Sequence, residues 1–181
     1  TLEDIGDGGK MLYGTDAEGT PWLGIRSGSE VADEVKLPTS TTELFLFSMA
    51  QTSSPSGGFT VNWDELPEGL CLGGGCLRDS QISGDLVMGQ NYRIGNSAFT
   101  GCTGLTSVAI PGDQVALEEM VFSSCSNLKT AYIGKLWNDG VIYSGIFSDC
   151  NALTTVMLDS DTVPPGVLGS LVPFRFNLSW T

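Results

Sequence analysis

Three cysteines recur at regular intervals in the second half of this 181-residue chain, at Cys102, Cys125 and Cys150. Thiols can act as nucleophiles, bind a metal, form disulfides or fill a core. The chain contains no histidine, so it offers neither a Cys–His pair that would activate a thiolate nor a Cys/His zinc set. A tetrahedral site of four cysteines needs all its ligands at one point, whereas regular spacing spreads the thiols along an axis. We therefore interpret these cysteines as small buried hydrophobic residues.

Each of these cysteines lies three residues after a phenylalanine, and other apolar positions repeat with it. Phe99, Phe122 and Phe147 are separated by 23 and 25 residues. One unit cannot bury its apolar side chains alone, but units stacked at strand spacing, about 4.8 Å, bury each set as a continuous ladder. The other matching sets are Ile94, Leu117 and Ile142; Leu105, Leu128 and Leu153; Val108, Ala131 and Val156; and Ile110, Ile133 and Leu158. The sequence thus predicts a solenoid with the phenylalanine and cysteine ladders in its core.

The spacing within one unit predicts its local structure. Leu105, Val108 and Ile110 have the alternation of a half-buried strand, and the next two units repeat it. The stretches around the phenylalanines are short and have room only for a helical or 3₁₀ turn. We therefore predict parallel strands joined by short turns.

Residues 94–111, IGNSAFTGCTGLTSVAIP, resemble the BspA-like leucine-rich repeats of bacterial surface and secreted proteins. That pattern has an Ile, an Ala-Phe, a Cys, a Leu and a Val-x-Ile strand often closed by Pro. The next two units depart from it at Val121 and Ile146, where Ala is usual, and lack the Pro. The resemblance covers about residues 82–178, with 163–180 as a degenerate last repeat of the atypical kind expected at a terminus. It implies a leucine-rich-repeat solenoid located outside a bacterial cell or on its surface.

The first half of the chain lacks this repeat. We predict a β-rich N-terminal region or cap over residues 1–80 and about three and a half repeats over 81–181. Residues 10–25 predict a hairpin, since two apolar runs flank a turn rich in Asp, Glu and Gly. Residues 43–50 and 59–63 are further strand candidates. A cap of this kind would cover the apolar end of the solenoid, which is otherwise open to association.

Two further cysteines, Cys71 and Cys76, flank three glycines that permit a sharp turn. A disulfide between them is expected if the protein is exported, and paired packing of free thiols is the other interpretation. Both stay open at the level of the sequence.

The composition excludes several classes of function. Eight basic against 21 acidic residues give a net charge of -13, which repels nucleic acids and anionic membrane surfaces. The chain contains no apolar run of about 18 residues, no P-loop spacing, no G-x-S-x-G elbow and no EF-hand loop. We therefore expect no membrane span, no cofactor, no metal and no enzymatic activity. The chain begins at Thr1 without a leader, which fits a processed export signal or a truncated chain.

Residues between the buried ladders form outward rows, and these are the candidate binding residues. Lys129, Tyr132 and Met157 lie in such rows, and the insertion 134–140 presents Trp137 at a tight turn. They either stabilise the sheet as cross-strand pairs or contact a partner. We predict a binding or adhesion module for a protein or glycan. The alternative is a structural fibre or phage-tail-like component whose N-terminal half forms a homo-oligomer.

Overall fold

The structure of the protein, a computed structural model, describes residues 28–137 and 144–159 in full, and the backbone of residues 2–4, 10–15 and 21–25. A short 3₁₀ helix, Trp63–Glu65, lies among the strands. The strands are β1 (Leu2–Asp4), β2 (Lys10–Thr15), β3 (Pro21–Ile25), β4 (Glu34–Val35), β5 (Glu43–Leu44), β6 (Thr60–Val61), β7 (Cys71–Leu72), β8 (Ser83–Val87), β9 (Arg93–Ile94), β10 (Gly104–Ile110), β11 (Ala116–Leu117), β12 (Thr130–Ile133) and β13 (Thr155–Leu158).

The predicted parallel solenoid is confirmed, and the described residues form about five turns of it. One face is a parallel sheet in the order β13-β12-β10-β8. A bridge between Phe59 and Ile82 continues this face to β6 and β4. We call the outward side of β8, β10, β12 and β13 the long-strand face. The other face consists of the two-residue parallel strands β5, β7, β9 and β11, and we call its outward side the short-strand face.

Between the two faces lies the aromatic ladder. The ring centroids of Phe99 and Phe122 are 5.2 Å apart, and those of Phe122 and Phe147 are 5.9 Å apart. The ring planes are inclined by only 17° and 10°, which is a stacked arrangement. Trp63 meets the edge of this stack, 6.2 Å from Phe99 at 70°. All three phenylalanines are at most 3% exposed, so the stack forms the centre of the core.

The three ladder cysteines are buried and connect successive coils through their thiols. Cys102 donates to the carbonyl of Leu77 at 3.1 Å. Cys125 and Cys150 make the equivalent bond to the carbonyls of Phe99 at 3.2 Å and Phe122 at 3.0 Å. Each of these carbonyls also accepts a backbone N–H, from Ser80, Cys102 or Cys125, so the thiol adds a second hydrogen bond to the same acceptor.

The parallel ladder extends upstream of the three and a half repeats predicted from the sequence. The backbone N–H of Leu77 donates to Ala98, just as that of Phe99 donates to Val121. Met49 donates to Cys76 in the same way. The pairing thus crosses residue 80 without interruption. That residues 1–80 and 81–181 are separate domains stays a prediction.

Two left-handed residues shape the tight turns between the faces, where the sequence predicted helical or 3₁₀ segments. Ser97 and Met120 have φ of 58° and 53°, and Gly101 and Ser124, four residues later, have φ of 74° and 60°. A left-handed residue reverses the sense of the backbone, so these segments form successive turns that cannot continue as regular helix.

The N-terminal hairpin extends the short-strand sheet beyond the first coil. β2 and β3 pair antiparallel with Thr15 opposite Pro21, in agreement with the hairpin predicted over 10–25. β3 pairs parallel with β5, and β1 pairs antiparallel with β2. The hairpin therefore occupies the hydrogen-bonding edge of β5. The strand candidates 43–50 and 59–63 contribute only short strands, β5 and β6, to the solenoid itself.

Candidate functional site

The structure distributes the predicted binding residues over two faces. Tyr132 and Met157 are paired in register on the long-strand face, next to Ala109. Lys129 is exposed immediately before β12, at the edge of the same face. Trp137 lies instead on the short-strand face, where its backbone N–H donates to Val115. The sequence could not separate these groups because it does not show which way the chain turns after β12.

An apolar row runs across the long-strand face. Ala109 pairs in register with Val87 on one side and Tyr132 on the other, and Met157 ends the row. Val87 is 54% exposed, and the other three side chains are half-buried. Such a row is unusual beside solvent, because the inward positions of the same strands already supply the core.

A polar row accompanies the apolar row two residues earlier along each strand. Its members are Asp85, Ser107, Thr130 and Thr155. The hydroxyls of Ser107 and Thr106 donate to one carboxylate oxygen of Asp85 at 2.7 and 3.0 Å. These two hydrogen bonds, that from Ser107 foremost, lower the pKa of the exposed Asp85 carboxyl. This face therefore combines an apolar strip with an ordered polar border.

The short-strand face carries a concave groove of about 480 Å³. Strand register aligns four outward residues along it, Glu43, Cys71, Arg93 and Ala116. Trp137 follows at the next coil, because Leu136 bridges Val115. The Arg93 guanidinium reaches past the small Ala116 side chain and lies 4.9 Å from the centre of the Trp137 ring. This contact is a cation–π interaction, and it fixes the orientation of an indole that is 37% exposed.

Glycine backbone forms part of the groove wall. Gly73, Gly74 and Gly95 line it, and two of them are required by close packing between coils. A methyl group on Gly95 would lie 2.7 Å from the Gly74 nitrogen, and one on Gly73 would lie 2.6 Å from the Leu46 nitrogen. The close approach of coils therefore leaves a smooth surface with no side chains in this part of the groove.

Charged groups of both signs line the groove. Glu43 and Glu118 contribute carboxylates and Arg93 a cation. Glu118 also accepts the backbone N–H of Asn96 at 2.8 Å, which anchors it at the corner after β11. A smaller depression of about 260 Å³ shares Arg93 and Trp137 and adds polar residues, including Asn91. The two depressions meet at the Arg93–Trp137 pair.

Cys71 and Cys76 are both free thiols and point to different places. Cys71 lies half-buried in the groove, and burial raises its pKa despite the neighbouring Arg93. Cys76 is fully buried beside Cys102, and burial raises its pKa further. The disulfide that the sequence left open is not formed, because Cys71 points outward from β7 while Cys76, four residues beyond the strand, is buried in the core.

Side chains that could bind a metal do not cluster among the residues that the structure describes. In these ranges no group of three or more Cys, Asp and Glu side chains is arranged to hold a metal ion. Ile142 and the predicted last repeat, 163–180, lie outside them. Among the described helical segments, none has the length and apolar character needed to cross a membrane.

Comparison with known proteins identifies the repeats. Residues 80–163 match the family model of the BspA type leucine rich repeat region, in six copies. The crystal structure of a leucine-rich repeat protein from Bacteroides ovatus is similar at 15% sequence identity, with a TM-score of 0.26. That alignment covers 94% of this chain and 75% of the other. No curated protein matches this sequence.

Proposed function

We propose that this chain is a non-enzymatic binding module that docks a protein partner on its long-strand face. The match of residues 80–163 to the BspA type leucine rich repeat region supports this proposal. The single observation that carries this proposal is the apolar row Val87, Ala109, Tyr132 and Met157 on that face. We also propose a location outside a bacterial cell or on its surface, which the family match supports.

The chemistry of the row favours a protein over a small molecule. Tyr and Met are enriched at the centres of protein interfaces, and polar residues form the rims. Tyr132 and Met157 lie side by side in the row, with the polar row on one side of it and Lys129 exposed nearby. The pKa of Asp85 is lowered by its two hydroxyl donors, so this border stays charged at neutral pH. The charge of the chain, -13, favours a partner with a basic surface.

The size of the row sets the expected strength of binding. Four strands at about 4.8 Å spacing give a strip about 14 Å wide, which is a few hundred Å² at most. Stable complexes bury about 800 Å² on each partner. A single module therefore binds weakly, and tight attachment requires several modules acting together.

Binding to cultured epithelial cells tests the proposal, with the cells used before and after trypsin treatment of their surfaces. We expect the fluorescently labelled chain to bind untreated cells and to lose this binding after trypsin. The double variant Tyr132→Ala, Met157→Ala should bind at least tenfold less, because it removes the centre of the strip. Thr155→Ala is the matched control, since it changes the polar row of the same strand.

Three results would contradict this proposal. They are an absence of binding to untreated cells, binding that survives trypsin, or binding that the double variant retains. Circular dichroism checks that both variants fold. Light scattering during size-exclusion chromatography tests the alternative of a structural fibre. If the unmodified chain formed a stable oligomer and the double variant were monomeric, the strip would be assigned to self-association.

A further inference from the structure

We infer that the groove on the short-strand face is a binding site for a neutral oligosaccharide, separate from the protein-docking strip. Its walls are the exposed indole of Trp137, the Arg93 guanidinium and the carboxylates of Glu43 and Glu118. Its volume of about 480 Å³ lies within the range of about 300 to 1,000 Å³ typical of small-molecule sites.

The charges of the groove select a neutral polar ligand. An anion would meet Glu43 and Glu118, and a cation would meet Arg93, whose guanidinium already covers the Trp137 ring at 4.9 Å. An apolar ligand would remove all three charges from water without offering a partner, which is costly. A hydroxyl group both donates and accepts hydrogen bonds, so it can pair with the guanidinium and with either carboxylate. A ligand with many hydroxyls therefore satisfies every charged group here.

The indole and the glycines supply the complementary apolar and flat surfaces. A sugar ring presents C–H groups on its faces and hydroxyls around its edge. The Arg93 guanidinium covers part of the Trp137 ring, and the part of the indole that stays exposed offers a rigid apolar surface for such C–H groups. The Arg93 guanidinium and the backbone hydrogen bond to Val115 already fix the position of Trp137. Little side-chain conformational entropy is therefore lost when a ligand binds. The wall formed by Gly73 and Gly95 carries no side chain that would block a flat ring.

The second depression extends the site beyond one sugar. It lies on the other side of the Arg93–Trp137 pair, has a volume of about 260 Å³ and is lined by Glu68, Asn91 and Gln114. The side-chain amide oxygen of Asn91 accepts hydrogen bonds from the backbone N–H groups of Asp113 and Gln114, which fixes this side chain in place. A chain of two or more sugars can therefore cross the pair and contact both depressions.

Isothermal titration calorimetry on the full chain tests the inference with a defined panel of probes. The neutral probes are cellohexaose, xylohexaose, mannohexaose and maltohexaose, and the acidic probe is hexagalacturonic acid. We expect at least one neutral hexasaccharide to bind with a Kd below 1 mM and the acidic probe to bind at least tenfold more weakly. If every neutral hexasaccharide bound with a Kd above 1 mM, the inference would be overturned.

Variants then locate the site. Trp137→Ala should lower the affinity for the binding hexasaccharide at least tenfold, because it removes the stacking wall. Glu43→Gln keeps a hydrogen-bonding side chain without the charge and should change the affinity less than threefold, whereas a cation site would lose much more. Tyr132→Ala on the opposite face should have no effect. Unchanged affinity in Trp137→Ala, or a large loss in Tyr132→Ala, would refute the assignment whatever the outcome of the cell-binding experiment.

Discussion

The aromatic ladder allows a quantitative test of how the coils hold together. Phe122 is completely buried, and its ring stacks on Phe99 at 5.2 Å and on Phe147 at 5.9 Å. Replacing a buried phenylalanine by alanine costs about 3 to 5 kcal/mol, since it adds a cavity to the lost transfer free energy. Small domains have a total stability of about 5 to 15 kcal/mol, so Phe122→Ala should remove a large part of it.

The variant Phe122→Leu removes the ring stacking but keeps most of the buried side-chain volume. Leucine fills most of the space, and Leu77 occupies the equivalent position two coils earlier. The cost should then approach that of two lost ring pairs, at about 0.5 to 1.5 kcal/mol each, or about 1 to 3 kcal/mol in total. Truncation of a half-buried surface side chain, as in Tyr132→Ala, should cost less than about 1 kcal/mol and serves as a control.

Urea unfolding followed by far-ultraviolet circular dichroism measures these free energies. A double-mutant cycle of Phe99→Leu and Phe122→Leu isolates the contribution of their stack, for which we expect a coupling of about 0.5 to 1.5 kcal/mol. A coupling near zero, or a Phe122→Ala cost below about 2 kcal/mol, would refute the reasoning, because the rings would then contribute neither stacking nor packing at the level their contacts imply.

Two further predictions concern backbone packing and pH. Gly95→Ala should cost about 3 kcal/mol in urea unfolding, because the added methyl meets backbone atoms of the neighbouring coil. Gly57→Ala meets nothing within 4 Å and only strains a φ of +86°, so it should cost about 1 kcal/mol; the reverse order would contradict the packing argument. Burial raises the pKa of Cys102 and of Tyr92, each to about 12. The folded protein keeps these protons while the unfolded chain loses them. The resulting stability is therefore fully present below the unfolded values, 9.0 for the thiol and 10.0 for the phenol, and is lost as pH rises towards about 12. We expect the free energy of unfolding to fall by about 1.4 kcal/mol per pH unit per group in that interval, and Cys102→Ser should make the fall shallower; an equal fall in that variant would exclude the thiol as its source.

The sequence predicted the repeated core because identical residues recur at equivalent positions. Phe99, Phe122 and Phe147 mark three coils unambiguously. The coils upstream were missed because Leu77 takes the phenylalanine position there, and Ser80, three residues later, takes the cysteine position. The strands of these upstream coils also alternate apolar and polar residues. Each strand is only two residues long, so this alternation cannot be recognised without knowing which strands pair.

The groove was beyond prediction for a related reason. Arg93 and Trp137 are 44 residues apart in the chain and meet only because two coils bring them together. Their contact also requires a small side chain at Ala116 between them. Composition and spacing predicted Trp137 as a candidate, but not its neighbours. The same holds for the left-handed turn positions, which are occupied by serine and methionine as well as glycine and so carry no single residue signature.

The in-register stacking of the coils has a consequence for how such a protein changes its length. Each coil donates equivalent backbone hydrogen bonds to the next coil and continues the same side-chain ladders, as the N–H groups of Phe99 and Phe122 illustrate. Duplication of one complete coil, such as residues 99–121, would lengthen the molecule by a single step of about 4.8 Å and leave both ends as they are. Duplication or deletion of whole coils can therefore enlarge or shorten the two outward surfaces in fixed increments, without a new core having to evolve.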